Sequence, residues 1–256
     1  LVIGSFIGPA PLGIYNFSRR LYQMINDVLA GGFTSVSYSL LSSLQTDKAK
    51  VREAFLLASF GCFLVSVPAF MGLAAVADDA LPLIFGPHWA GAIWPTRWFC
   101  VIGLMGSVGI VQSSLINSQG RSDWWFYYQL IRNIATVGLI FLLKDYGIAT
   151  IVFAIAVQVV VLWPITLVLV ARIVEMTVWS YFGQFVRPLF ANLIMLAVML
   201  VIGHAMRDAS AASRLVVEIL AGGLVYLTMI MLICRDRVMV FWNILSRAIK
   251  RKTGVA

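Results

Sequence analysis

Charge is what this sequence has least of. Only 12% of its 256 residues are Asp, Glu, Lys or Arg, about half the roughly 25% of a typical soluble domain. Hydrophobic residues make up 61%, and the mean hydropathy is +0.93. A soluble chain of this length would need far more polar surface, so the composition predicts an integral membrane protein. Histidine and cysteine are scarce as well, at two and three. Cys62, Cys100 and Cys234 all fall in apolar runs, with no spacing that suits a metal site or a redox pair. His88 and His204 stand apart from other ligand types, which argues against a metal centre. There is no Ser/His/Asp constellation and no phosphate-cradling glycine loop. The adjacent Asp78 and Asp79 would point apart on a helix. An enzyme is therefore disfavoured, and no cofactor is expected. An initiating methionine and a signal-peptide pattern are also absent, so a fragment with upstream helices missing is expected.

Long apolar runs fill the space that charge leaves. Residues 1–7 resemble the last turns of a span, and Gly8, Pro9, Ala10 and Pro11 predict a tight turn. Spans are expected over 14–41, 54–77, 92–118, 124–143, 148–171, 188–206 and 215–233, at roughly 20 apolar residues each. That makes seven, plus the end of an eighth. Between them, 46–53 is a polar loop, and 78–89 is a connecting segment broken by Pro82, Gly86 and Pro87. Residues 172–187 suit a helix lying in the membrane interface. Residues 235–252 suit a basic amphipathic helix on an anionic leaflet. The expected fold class is an all-α integral membrane protein, a multi-helix transmembrane bundle.

The net charge of +8 does not point to nucleic acid, because the basic residues sit mostly in alternate loops. The loops 42–53, 119–123 and 172–187 with the tail hold 12 Lys and Arg, and the other set holds three, Lys144, Arg207 and Arg214. The positive-inside rule makes the first set, and the C-terminus, cytoplasmic.

Four arginines remain inside the spans: Arg19, Arg20, Arg97 and Arg132. Each embedded charge costs roughly 2.5–3.5 kcal/mol on insertion scales, so such charges persist mainly beside a cavity or a partner. Asn16, Arg20, Gln23 and Asp27 share one helical face, with Arg19 and Asn26 flanking it. Two readings fit. The stripe is a cavity wall that binds an anion through the planar fork of arginine, or it is a clamp in which Asp27 or a missing helix neutralises Arg20. Arg132, between Gln129 and Asn133, either faces the same cavity or snorkels to the headgroups. Arg97 is expected to snorkel, and Glu218 to lie at the interface.

Several short patterns resemble one family. Residues Gly13, Ile14, Tyr15, Asn16, Phe17, Ser18, Arg19, Arg20 and Leu21 resemble the "LGxYxxAxRL" helix opening of bacterial polysaccharide flippases, with Ser18 in place of the usual alanine. Ile84, Phe85, Gly86, Pro87, His88 and Trp89 look like their "LFGPxW" loop, the most specific of the matches. Gln119-Gly120-Arg121, Tyr146-Gly147-Ile148, and Tyr181 with Arg187-Pro188 are similar to further turns in the same order. The family is that of Wzx-type lipopolysaccharide and exopolysaccharide repeat-unit translocases, in the multidrug/oligosaccharidyl-lipid/polysaccharide exporter superfamily. The resemblance implies the second lobe of a two-lobe transporter over 1–172, an interfacial helix and two additional spans over 173–234, and a cytoplasmic tail over 235–256. The first lobe is absent from this chain. The implied location is the bacterial inner membrane. The implied cargo is an undecaprenyl-pyrophosphate-linked oligosaccharide, with Arg19, Arg20, Gln23, Asp27 and Arg132 as contacts. Implied partners are membrane lipids, the missing N-terminal lobe and polysaccharide polymerase or export machinery. A multidrug exporter of the same superfamily and a non-transport scaffold are the alternatives.

Overall fold

A computed structural model describes residues 8–44 and 47–241. Its long helices are α1 (Pro9–Ser43), α2 (Lys48–Phe85), α3 (Ile93–Ser118), α4 (Ser122–Leu143), α5 (Ile148–Ile173), α6 (Val178–Ala205) and α7 (Ala211–Ile233). A 3-10 turn, Pro87–Ala92, joins α2 to α3, and 235–241 is helical again. No strand occurs among the described residues. Helices α2 to α7 are six elements long and apolar enough to cross a membrane. The fold is an all-α membrane bundle. Seven spans were expected among these elements; α1, of 35 residues, which carries the polar stripe, is not among the six that are apolar enough. The expected span end at 1–7 and the tail helix beyond 241 lie outside the described residues.

Three boundaries differ from the sequence reading, each for a reason of proline chemistry or burial. The expected tight turn at 8–11 is already helix. Pro9 opens α1, where its missing N–H would have had no intrahelical partner anyway. The expected connecting segment at 78–89 is helical as far as Phe85, with Pro82 inside α2. Pro82 lies in the last turn, where its carbonyl accepts the Gly86 N–H at 3.1 Å. The chain turns only at Gly86, whose φ of 102° is a conformation that side-chain-bearing residues rarely adopt. Of the expected interfacial helix at 172–187, residues 178–187 are continuous with the following span in α6, while 172–173 end α5. Thr177 caps α6 by accepting the Ser180 N–H at 3.3 Å. Tyr181 on its first turns is 1% exposed, while Trp179 and Val186 of the apolar face are exposed. Pro188 is tolerated inside α6, as prolines are within membrane helices packed against neighbours.

Helix α1 packs along α3 and α2, α3 also contacts α5, and α4 rests mainly on α5. Helices α6 and α7 pair with each other and dock on α2. Phe55, Leu115, Ile116 and Tyr181 fill the core between α2, α3 and α6. Phe60, Leu81, Met195, Met199 and Tyr226 fill that between α2, α6 and α7. On the turn between α5 and α6, Glu175 pairs with Lys48, which holds its carboxyl below the usual range.

The α2–α3 contact is close because Gly103 admits the fully buried Phe70 ring; a Cβ at Gly103 would overlap it. Gly103→Val should destabilise the protein by about 1–3 kcal/mol, the usual cost of overpacking. At Gly222 the nearest atoms belong to the flexible Met199 side chain, 2.7 Å from a Cβ there. Gly222→Ala should therefore cost clearly less. Thermal unfolding of both variants in detergent checks the contrast.

Candidate functional site

The site begins with how α1 is held. Phe17 stacks on Trp89 at 3.9 Å between ring centroids and meets Phe85 edge-on at 4.9 Å. The Ser18 hydroxyl, fully buried, donates to the Ala92 carbonyl at 3.3 Å and accepts from the Thr96 hydroxyl at 3.1 Å. Tyr15 and Tyr22 both pack on Phe99 of α3. These contacts take up one side of α1. The other side, with Asn16, Arg20, Gln23 and Asp27, is exposed on the outside of the bundle, and Arg19 is exposed beside it. Met24 and Val28 are exposed near them.

Among the described residues, Arg19, Arg20 and Asp27 make no ion pair. The expected Arg20–Asp27 clamp is therefore not formed within this chain. Seven residues of helix set the two about 10 Å apart along the axis. Arg97 and Glu218 behave differently from their sequence reading. Arg97 does not reach for headgroups: it pairs with Asp78 and donates to the Ala74 carbonyl at 3.1 Å. Arg214 grips both carboxylate oxygens of Asp79, tying α7 to α2. Glu218, expected at the interface, is 5% exposed and shares a pocket with this cluster. Its burial follows from Gly203, whose lack of a side chain admits the carboxylate.

Behind α1 lies a cavity of about 200 Å³ between α1, α3, α4 and α5. Arg132 lines it and is half-buried, so it does not snorkel away. Its carbonyl accepts the Gln158 side-chain amide at 2.7 Å, which ties α4 to α5. Tyr22, Asn26, Gln112, Gln129 and Trp163 line the same space. Gly106 opens the α3 wall: a Cβ there would stand 3.7 Å from the Tyr22 hydroxyl and 3.8 Å from the Asn26 carbonyl oxygen. Gln112 is 0% exposed, and its side chain meets the buried Tyr181 hydroxyl on the far side of α3 from the cavity's polar lining. The Gln129 carbonyl oxygen and the Trp163 N–H are buried without a hydrogen-bond partner. Buried polar groups of this kind are costly unless something polar meets them. The structure thus brings Arg132, Tyr22 and Asn26 together, while Arg20 and Gln23 face outward from the neighbouring side of α1. Gln112 and Trp163 were missed from the sequence, where uncharged polar residues in an apolar run carry no distinctive spacing.

With this geometry in place, the likeness to known proteins is specific. A family model described as "Polysaccharide biosynthesis protein" matches residues 1–94. The chain is similar to the teichuronic acid biosynthesis protein TuaB of Bacillus subtilis, 25% identical over 89% of this chain and 48% of that protein. It is 30% identical to the lipopolysaccharide biosynthesis protein WzxC of Escherichia coli over 52% of this chain and 27% of that one. It is 27% identical to the succinoglycan biosynthesis transport protein ExoT of Rhizobium meliloti over 55% and 28%. The likeness is thus to bacterial polysaccharide biosynthesis and transport proteins. It spans about half the length of the first relative and just over a quarter of the other two. No solved structure matches it. The matched 1–94 segment holds both Phe17 and the Phe85–Trp89 loop, so the aromatic clamp falls within the segment that the family model matches.

The paired and unpaired charges should respond differently to removal. Arg214→Gln leaves Asp79 without its partner at a site where the two side chains are 20% and 12% exposed. It should lower the unfolding temperature clearly, because a part-buried carboxylate loses both of its charge-assisted hydrogen bonds. Arg20→Gln removes a side chain with no ion pair and should change stability by less than about 0.5 kcal/mol. Thermal unfolding in detergent compares the two; a large loss for Arg20→Gln would restore the clamp.

Proposed function

We propose that this chain is the second half of a transporter that carries an undecaprenyl-pyrophosphate-linked oligosaccharide across the bacterial inner membrane, for polysaccharide biosynthesis or export. The carrying observation is the outward polar face of α1, with two arginines that no acidic residue of the described chain neutralises. Arg20 and Arg19 contact the pyrophosphate in this reading, since a guanidinium donates two parallel hydrogen bonds to phosphate oxygens. Gln23 and Asp27 complete the wall, and Asp27 balances charge or couples a cation. Arg132 and the unpartnered polar groups of Gln129 and Trp163 offer polar contacts to the sugars. The relatives' names, which speak of lipopolysaccharide biosynthesis and succinoglycan transport, support a cargo of this class.

The mechanism follows from the cost of the cargo. A pyrophosphate with sugars cannot cross hydrocarbon exposed, so it needs a cationic, water-filled path. Rocking of two helical lobes around a fixed site alternates access to the two faces. The second lobe would come from the part of the relatives' length that this chain does not span. The C-terminus is cytoplasmic in this arrangement, by the excess of basic residues on that side. Polymerase or export machinery is the natural partner on the product side. The excess of embedded arginines over Asp27 disfavours a multidrug exporter for cationic compounds.

Arg20→Ala in the whole protein should lower translocation of the lipid-linked repeat unit about 10–100-fold, the worth of a lost charge-assisted hydrogen bond. Arg20→Lys should recover only part. Gly106→Leu, which projects a side chain into the cavity, should lower transport while leaving folding intact. Polymer export in cells and flipping in proteoliposomes measure these effects. Wild-type export by Arg20→Ala removes Arg20 from the headgroup site.

A further inference from the structure

The seam where α2 meets α6 and α7 lies away from the α1 face and plays no part in the proposed transport. Its features fall along one stripe of α2. Glu53, Leu57, Phe60, Leu64, Pro68 and Gly72 recur every three or four residues, the spacing of a single helical face. At the start of the stripe is a pocket of about 480 Å³, lined by Leu56 of α2, Ser180, Gln184 and Arg187 of α6, and Asp236 and Arg237 beyond α7. An Arg237 guanidinium N–H donates to the Gln184 side-chain carbonyl at 3.2 Å. That leaves the Gln184 amide nitrogen, on a residue 9% exposed, buried without a partner. Neither arginine is in an ion pair with a described residue, so with Asp236 the pocket keeps one net positive charge. Ser180 lies on the first turn of α6, whose N-terminal end adds positive potential.

Further along the stripe the chemistry changes. Leu57, Phe60 and Val240, with Glu53, Asp236 and Arg237, line an adjoining pocket of about 270 Å³. One turn on, an apolar groove of about 670 Å³ opens between α2 and α7, walled by Leu64, Val65 and Pro68 on one side and by Ile219, Gly223 and Leu227 on the other. The polar group on its wall, the Tyr226 hydroxyl, is satisfied by donating to the Leu64 carbonyl at 2.6 Å. From Leu56 to Gly72 the stripe rises roughly 24 Å at 1.5 Å per residue, against roughly 15 Å for one leaflet's half of a 30 Å hydrocarbon core. Trp179 beside the charged end is almost fully exposed, as suits an interfacial anchor.

We propose that this seam is a binding site for one anionic phospholipid of the surrounding membrane. The phosphate sits between Arg187 and Arg237 and accepts the Gln184 amide N–H. One acyl chain lies along Phe60 and Leu64 into the α2–α7 groove. The two guanidiniums, neither in an ion pair with a described residue, select a headgroup that carries a phosphate charge and no cation of its own, with Asp236 and Glu53 alongside opposing a second negative charge. Length and apolar lining select a lipid over a soluble phosphate.

Native mass spectrometry of the whole protein in detergent tests the site, with phosphatidylglycerol and phosphatidylcholine of matched chains as probes. The wild type should retain one phosphatidylglycerol in preference to phosphatidylcholine. The double variant Arg187→Gln, Arg237→Gln should weaken phosphatidylglycerol retention roughly 30-fold, at about fivefold or more per lost arginine, and leave phosphatidylcholine retention unchanged. Gly223→Trp, which fills the groove, should weaken both lipids. Equal retention of the two lipids by the wild type overturns the proposal. So does full phosphatidylglycerol retention by the double variant, or displacement of the lipid by inorganic phosphate at equal concentration. The readout is lipid binding, so it stands or falls independently of transport.

Discussion

The stacking of Phe17 on Trp89 is the contact on which the placement of the site depends. A helix that carries Arg19, Arg20 and Asp27 cannot be fixed by burying itself all round. It must be held by one side alone. Phe17 supplies that side: Trp89 lies on its face and Phe85 on its edge, and each such pair contributes about 0.5–1.5 kcal/mol beyond the area it buries. Gly86 lets both rings reach the same partner, because its positive φ reverses the chain between them. The Ser18 hydroxyl then locks the next residue to the start of α3. Two short sequence patterns some seventy residues apart are thus the two halves of one joint. Their shared purpose is geometric: with Phe17 and Ser18 turned inward, Asn16, Arg20 and Gln23 have to turn outward.

The joint also explains how the protein divides its embedded charges. Where a charge serves only to hold helices, it has a partner. Arg97 has Asp78, and Arg214 has Asp79 through both carboxylate oxygens. These pairs cross-link α2 to α3 and to α7, and the remaining Glu218 is folded into the same cluster. The charges on α1 and at Arg132 have no ion-pair partner among the described residues. A bundle able to neutralise some of its charges so thoroughly has left these four in reach of a fifth party. Arg132 makes the point most clearly, because Gln129 and Trp163, which line the same space, each hold a buried side-chain polar atom without a partner.

Much of this was legible in the sequence, and what was not has identifiable causes. The apolar runs mark α2 to α7, because hydrocarbon leaves the backbone no alternative to the helix. The polar stripe was legible because helical spacing alone puts Asn16, Arg20, Gln23 and Asp27 on one face. Pro82 and Pro188 misled the boundaries, since a proline costs a helix one hydrogen bond and packing in the bundle outweighs that loss. The expected interfacial helix at 172–187 has no separate end before the next span, because Pro188 does not interrupt α6. An amphipathic pattern says that one face is apolar, and it does not say whether lipid or a neighbouring helix covers that face. Tyr181 is buried by Phe55 and Phe185 of the protein itself. The pairing of Arg97 and the burial of Glu218 depend on residues far away in sequence, which no local pattern encodes.

The outward face of α1 finally sets a condition on how the chain can exist in a membrane. At roughly 2.5–3.5 kcal/mol for each charge in lipid, Arg19, Arg20 and Asp27 together would cost on the order of 8–10 kcal/mol if that face met hydrocarbon. That is comparable to the whole stability of a typical protein, roughly 5–15 kcal/mol. Snorkelling can relieve Arg19 near the end of its helix, but not Arg20 and Asp27 at once, because they are about 10 Å apart along the axis and face the same way. The face must therefore meet water or protein. In a bilayer, water reaches it only if something else keeps the lipid away. Relatives about twice the length of this chain have the additional sequence to do so, and a second bundle facing α1 across an aqueous gap meets the condition without neutralising the arginines. A second bundle packed directly on α1 would have to supply acids to match them, and the site would then be a seam between lobes. Embedded carboxylates in the additional sequence would mark such a seam; further embedded arginines would mark the gap.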